Sequence, residues 1–561
     1  MATFNTKGSK PRVNSPVTTT GTTKTALGAS GFTRSSKSDL YLLSVSNMIN
    51  KKTFHEPVRR NERYVDLVHT VALEDPEFIT RMFPWVRNEG FMRSASVMGA
   101  AEAAHVLCDA HRYDGVEDMI DGTLSRADEL GEFIAYWFSI AGKAWPRRYQ
   151  PVKRGLKRAA QRLITEYSYG KWDSPRREYR LADIIDITHP SPANDSQSDL
   201  FKLILDRRRN RMTSSLANLP MIREATAWHQ AARSNPKDKR LLDPAIIKKA
   251  GLTWEDMMSA LGSHVPKAKV WEAVIPNMGV RALLDNLRNF DEANVSDKAA
   301  SRVSAAISDP DRIRNAKVFP FRFLAALRAT QNLRWAYPLE KGLNASLELV
   351  PSLSGSTLIL VDRSPSMFPD MPGSTPNDSD ISLADQAAVF GAALAIKASN
   401  PTLVEFGGDT GVDRYTRALT GKGSRAIRVQ RGASALKVVE MFGEPIPGTD
   451  IPRAVKENFA GHDRVVIITD EQSRPGYLTS NMRPYGGSRE TKIDDLIPGN
   501  TPVYLWNMAG YKGSILEASA PNRHAFGGLS DASFRMISLL ESRRSVTWPW
   551  MDSKQEKVAK G

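Results

Sequence analysis

The chain has 561 residues, 41% of them hydrophobic, and carries 77 Lys and Arg against 62 Asp and Glu. That length is too great for one hydrophobic core and predicts two or three domains, and a formal charge of +15 points to a polyanionic partner. The one cysteine, Cys108, excludes an intrachain disulfide and a cysteine-built zinc site, and no apolar run reaches the ~18 residues that a membrane span needs.

The charge is unevenly placed. Residues 354–561 hold 24 of the basic and 23 of the acidic residues, so the first 353 carry 53 basic and 39 acidic ones. A nucleic acid bound by the N-terminal part is the simplest partner. The lone cysteine fits a reducing compartment, and the N-terminus lacks a signal peptide's apolar core, so a cytoplasmic protein is expected.

Residues 1–38 are rich in Ser, Thr and Gly, with six basic residues and no acidic one. Such a stretch buries too little surface to offset chain entropy and reads as a flexible basic tail. From Asp39 to about Ala329 the pattern is helical, and a helical domain is expected over 39–352. Apolar residues recur at spacings of three and four in Tyr64, Val65, Leu67, Val68, Val71 and Ala72, and again from Ala101 to Cys108 and from Glu129 to Trp137. Glu56-Pro57, Asp75-Pro76, Trp145-Pro146, Asp243-Pro244 and Asp309-Pro310 mark helix starts. Many short helices without strands suggest stacked helix pairs, an α-solenoid, although no fixed-period repeat is visible.

Residues 147–180 concentrate 11 basic residues against three acidic ones. Lys153 with Lys157, and Arg154 with Arg158, fall at i, i+4, so a helix here presents a basic ridge. Arg147, Arg148, Arg162, Lys171, Arg176, Arg177 and Arg180 extend it, and Tyr149, Tyr167, Tyr169, Trp172 and Tyr179 lie among them. Cations interleaved with aromatics suit phosphates and unpaired bases. An amphipathic helix with a solvated basic face and core aromatics fits the same pattern. Arg207, Arg208, Arg209 and Arg211 form a second, weaker cluster.

Beyond residue 352 the period changes. Strand-like runs at 357–361, 402–406, 464–469 and 501–506 alternate with helical stretches at 382–399, 434–442, 450–460 and 531–541. This βα alternation predicts an α/β domain over 353–545, a doubly wound parallel sheet with helices on both faces. Its ligands would bind outside the carboxyl ends of the strands. There the sequence places Asp362, Ser364 and Ser366, then Thr449, then Asp470. All are hard oxygen donors, the set that Mg²⁺ or another divalent cation takes. Asp followed by Ser after a strand is also common turn chemistry. The trio resembles the metal-ion-dependent adhesion site of von Willebrand factor A domains, with Arg363 and Pro365 departing from that pattern and Arg363 expected to weaken cation binding. Residues 546–561 read as a polar tail that frays.

Catalysis finds little support. Asp362-x-Ser364 lacks the second carboxylate of aspartyl phosphotransferases, Gly421-Lys422-Gly423-Ser424 lacks P-loop spacing, and no His-centred triad or H-E-x-x-H stands out. A non-enzyme is expected.

Several segments, in order, resemble the TROVE module of Ro autoantigen proteins. They are Gly155-Leu156-Lys157-Arg158-Ala159, Leu181-Ala182-Asp183-Ile184-Ile185, Thr188-His189-Pro190, Leu252-Thr253-Trp254-Glu255, Trp271 to Pro276, Leu283 to Asn289, and Val318-Phe319-Pro320-Phe321-Arg322. The resemblance covers about residues 40–330. It implies a multidomain fold: an all-α ring of HEAT-like repeats with a basic central hole, followed by the A-type domain. It also implies binding of small structured (Y-like) RNA on the basic outer surface and of single-stranded ends of misfolded non-coding RNA in the hole, acting in RNA quality control. In bacterial relatives the RNA can tether a 3′-to-5′ exoribonuclease. His189 matches a histidine implicated in Y RNA contact, and Lys171, Arg176 and Arg177 occupy the corresponding basic region. One chain suffices to close such a ring, so a monomer is expected. The competing expectation is a metal-dependent protein-interaction scaffold in which RNA is incidental.

Overall fold

The computed structural model describes residues 12–25, 27–46, 60–211, 215–330, 332–348, 350–368, 382–408, 423–430, 432–473, 490–528, 537–538, 540–542 and 547–551. Two compact units divide the chain. One comprises Met1–Val71, Glu89–Ala95 and Leu347–Gly561; the other comprises Ala72–Asn88 and Ser96–Ser346.

The first unit holds eight strands among the described residues: β1 (Thr19–Lys24), β2 (Ser30–Arg34), β3 (Leu353–Asp362), β4 (Ala398–Phe406), β5 (Ser424–Ile427), β6 (Arg464–Thr469), β7 (Val503–Asn507) and β8 (Arg523–Gly527). The last six form one sheet in the order β5-β4-β3-β6-β7-β8, parallel except for the β5 edge. Val465 to Ile468 and Leu358 to Val361 are fully buried, as continuous apolar runs in a sheet covered on both faces must be. From β3 the chain turns one way through helix Leu383–Lys397 to β4, and β6 joins β3 on its other side. The winding reverses between β3 and β6. In open α/β sheets that switch point opens the ligand crevice at the strands' carboxyl ends.

The expected N-terminal tail is corrected over its described part. β1 and β2 form an antiparallel hairpin, Phe32 bridges Ser514, and helix Ser36–Val45 follows. Leu42 and Val45 of that helix approach Gly527 so closely that a Cβ there would lie 2.8 Å from the Val45 methyl. The hairpin's partners lie in the C-terminal part of the chain. The Thr19 amide donates to Ser519 Oγ at 2.8 Å, and the Val13 amide to Asn522 Oδ1 at 3.1 Å. Residues 12–46 therefore belong with the sheet, and the domain boundary expected at 39 does not hold. Residues 1–11 lie outside the described part. The expected C-terminal fraying is also corrected over 547–551. Trp550 is buried, and Trp548 and Trp550 pack on Tyr41 with centroids 5.3 and 5.6 Å away. The helix expected at 531–541 falls partly outside the described residues.

The second unit is helical, with no strand among its described residues. Three of the predicted Pro-marked starts hold. Asp75, Asp243 and Asp309 precede helices Pro76–Asn88, Pro244–Lys249 and Pro310–Asn315, and their carboxylates accept from Phe78, Ala245 and Asp311 amides at 2.8–3.0 Å. Trp145-Pro146 precedes a 3-10 turn at Arg147–Tyr149, and Glu56-Pro57 lies outside the described residues. Lys317 Nζ donates to the Asn88 carbonyl at 3.4 Å across 229 residues, so an early and a late helix segment of this unit meet. Among the described residues no helix is long and apolar enough to cross a membrane.

Candidate nucleic-acid interface and metal centre

The basic ridge sits on helix Gln150–Leu163, which buries Val152, Gly155, Leu156, Ala159 and Ala160 on one face. That face lies against helix Val116–Thr123. A Cβ on Gly155 would fall 2.7 Å from the Glu117 carbonyl oxygen and 2.8 Å from Ile120 Cβ, so only glycine allows this approach. The close packing brings the acids of the second helix to the arginines of the first. Arg154 pairs with Glu117 at 2.8 Å, Arg158 with Asp118 at 2.7 Å and Asp121 at 3.2 Å, and Arg162 with Asp121 at 2.9 Å. Counter-charges that are sparse within 147–180 arrive from Glu117, Asp118 and Asp121. Lys153 and Lys157, half-buried on the same helix, have no such partner among the described residues.

The rest of the segment divides the same way. Arg148 pairs with Asp109 at 2.8 Å, Arg177 with Glu132 at 3.2 Å, and Arg180 with Asp173. Arg177 and Arg180 thereby line a 110 Å³ cavity with Asp128, Glu132 and Asp173. Arg147 and Arg176 are exposed and make no ion pair among the described residues. Lys171 lies over the Tyr167 and Trp172 rings at 5.3 and 5.2 Å, and Tyr167 is 42% exposed, open to a stacking partner. Tyr149 is core. In the second cluster Arg208 and Arg209 pair with Asp183 and Asp186, and Arg207 lies over Tyr169. His189 caps the end of helix Leu181–Thr188 in the left-handed region (φ 46°), its amide donating to the Ile185 carbonyl and its side chain exposed. Cys108 is buried, and burial with neighbouring Asp109 pushes its thiol up to about 12, which makes it unreactive.

The oxygen donors gather at the switch point. Asp362 ends β3, Asp470 follows β6, and both are fully buried. Burial first, and the charge of Asp470 second, raise the Asp362 carboxyl well above the usual carboxylate range. Asp362 Oδ1 accepts from the Ser364 amide at 2.8 Å and Oδ2 from the Thr469 hydroxyl at 2.5 Å. The Ser364 and Ser366 hydroxyls lie 3.2 Å apart. Thr449 is buried on a loop tied to the strand ends, since the Ile446 amide donates to the Arg363 carbonyl and the Asp450 amide to the Gly407 carbonyl. Arg363, whose charge is expected to weaken cation binding, is engaged by its neighbours. Its guanidinium bonds the Gly443 carbonyl and stacks over Phe368 and Phe442, 4.7 and 5.8 Å from the ring centroids, so it fastens the 443–446 loop. No group of three or more His, Cys, Asp or Glu side chains with metal-ligand geometry occurs among the described residues. Any metal reading therefore rests on two carboxylates plus hydroxyls.

Residues 246–348 match the family model of the TROVE domain. That stretch is similar to a TROVE domain. Within it the aromatic residues of the sequence motifs turn out to be packing residues. Thr253 caps helix Trp254–Leu261 and bonds reciprocally with Asp256. Trp254 stacks on Trp271 at 5.4 Å, and Trp271 meets Phe290 edge-on at 5.0 Å. The motifs between Gly155 and Pro190, which carry the candidate RNA contacts, lie before the matched TROVE stretch. Among solved structures the chain is similar to the crystal structure of the Deinococcus radiodurans Ro (RSR) protein, at a TM-score of 0.60 and 15% identity. That match covers 91% of this chain and 100% of the other. At this identity the likeness establishes a shared fold. No curated protein sequence matches significantly.

Proposed function

We propose that this chain is a non-catalytic RNA-binding protein of the bacterial Ro type. The carrying observation is a match to the TROVE domain over residues 246–348 within a fold similar to the Ro structure over nine-tenths of the chain. Small structured, Y-like RNA docks on the basic outer surface, where Lys153, Lys157, Lys171, Arg176 and His189 supply phosphate and base contacts. Arg154, Arg158, Arg177 and Arg180, held in ion pairs, brace the neighbouring helices. Single-stranded ends of misfolded non-coding RNA enter a central hole, a role in RNA quality control. The Lys317–Asn88 contact supports closure of the helical unit into that ring, and a monomer is enough to form it. A 3′-to-5′ exoribonuclease is the processing partner, tethered through RNA in the cytoplasm.

The sheet unit acts as a von Willebrand factor A-like domain. Its donor set fits Mg²⁺ or another divalent cation, with Asp362, Ser364, Ser366, Thr449 and Asp470 as the residues that would hold it. When bound, the cation supplies an electrophilic centre for a partner's carboxylate or phosphate. Burial of Asp362, Ser364, Thr449 and Asp470 at the switch point also favours a second reading, a metal-dependent protein scaffold with incidental RNA binding.

Fluorescence anisotropy with a labelled hairpin RNA, with and without a single-stranded 3′ extension, tests the primary reading. Tighter binding of the extended form is expected. Equal binding would refute the hole, and binding of neither RNA would leave the scaffold reading.

A further inference from the structure

The loop that carries Asp470 is held from outside the sheet, by the N-terminal hairpin. Glu471, next to Asp470, sits in the left-handed region at φ 65°, a conformation rare for a non-glycine residue. It stays there because its carboxylate is bound on three sides. The Arg34 guanidinium from β2 pairs with it, the Asn507 amide donates to one oxygen, and the Ser514 hydroxyl donates to the other at 2.9 Å. Arg34 and Glu471 are 6% and 1% exposed, and Arg34 also donates to the Tyr511 carbonyl at 3.0 Å. Two residues on, Thr25 Oγ1 donates to the Ser473 carbonyl at 2.5 Å.

Each of these contacts leads to a candidate ligand. The Glu471 amide donates to Thr469 Oγ1 at 3.1 Å, and that hydroxyl donates to Asp362 Oδ2. Ser473 Oγ donates to the Thr449 carbonyl at 3.5 Å and accepts from the Ile451 amide at 3.3 Å. Asp470 Oδ1 accepts from the Gln472 amide at 3.0 Å, between the two clamped residues. Fixing residues 471 and 473 thus fixes Asp470, and through one hydroxyl each it orients Asp362 and Thr449.

We propose that Arg34, with Thr25 in support, is a positioning residue for the divalent-cation site, which makes the hairpin of residues 19–34 a working part of that site. The proposal rests on the metal reading above. Groups that orient metal ligands commonly change metal affinity about 10- to 100-fold when removed.

The test is Mn²⁺ binding to the full-length protein, read by electron paramagnetic resonance of the free ion. Wild type is compared with Asp470→Ala, Arg34→Met, Arg34→Lys and Thr25→Val, each checked for a cooperative melt. The expected result is binding by wild type, none by Asp470→Ala, at least tenfold weaker binding by Arg34→Met, and partial rescue by Arg34→Lys. If Arg34→Met fails to fold, Thr25→Val and Arg34→Lys decide, with weakened binding in both supporting the proposal. Wild-type affinity in folded Arg34 and Thr25 variants, with Asp470→Ala still inactive, would overturn the positioning role and leave the metal site standing. No Mn²⁺ bound by wild type would overturn the metal site itself, and the positioning role with it.

Discussion

The helix Gln150–Leu163 bears two kinds of cation, and they respond differently to neutralisation. Replacing Lys153 and Lys157 by Gln removes two charges that have no ion-pair partner among the described residues. Each phosphate contact on a nucleic-acid duplex contributes about 0.9 to the slope of log K against log salt, so on a structured RNA the double variant lowers that slope by about 1.8. Its stability stays within about 0.5 kcal/mol of wild type, as expected for side chains without specific partners. The comparison is Arg154→Gln with Glu117→Gln, which removes a 2.8 Å pair and leaves net charge unchanged. Arg154 is 56% exposed and Glu117 31%, so solvent screening limits the stability loss to about 1 kcal/mol or less. The salt slope of that variant remains at the wild-type value. Anisotropy titrations between 50 and 300 mM KCl, roughly the range over which counterion release is measurable, give both slopes. An equal loss of slope in the two variants would refute the division, because Arg154 would then be contacting phosphate rather than bracing a helix.

Two further outcomes follow from burial. Gly155→Ala places a methyl 2.7 Å from the Glu117 carbonyl, and overpacking of about 1–3 kcal/mol outweighs the gain of about 1 kcal/mol in helix propensity. The melting temperature should fall; a rise would show that the two helices separate freely. His524 is buried against Tyr504, its Nδ1 has no hydrogen-bond partner among the described residues, and burial followed by the Arg523 charge pulls its imidazole down to about 3. The unfolded chain, with an ordinary histidine near 6.5, binds the proton more readily. Stability is therefore fully present above about pH 6.5 and falls as pH drops toward 3, by at most about 1.4 kcal/mol per pH unit for one proton. Melting curves of His524→Leu from pH 7 to 4 should show a shallower decline than wild type, and an unchanged decline would exclude His524 as the source.

The central strands and the donor set were legible because they depend on local pattern. Leu358 to Val361 and Val465 to Ile468 are short apolar runs rich in β-branched residues, as buried strands are, and Asp362 and Asp470 stand at their carboxyl ends. β8 was not legible. Its Arg523 and His524 leave no apolar run to report a strand, yet Arg523 is buried through an ion pair with Asp494 and bonds to the Thr501 and Ile497 carbonyls. The hairpin of residues 19–34 failed for a related reason. Its Ser and Thr side chains bond Ser473, Glu490 and Ser519, partners more than 440 residues away, and no local composition reports them. The basic ridge was legible as a ridge, but its neutralisation was not. Glu117, Asp118 and Asp121 lie about 40 residues upstream and reach it only because Gly155 lets the two helices touch.

The most direct test of RNA binding is ultraviolet crosslinking in the native cells, followed by sequencing of the recovered RNA. Wild type is compared with a chain carrying Lys153→Gln, Lys157→Gln and His189→Ala. Enrichment of a small structured RNA by wild type, lost in the variant, is the predicted result. Recovery by wild type no greater than that of an unrelated non-binding protein would contradict it.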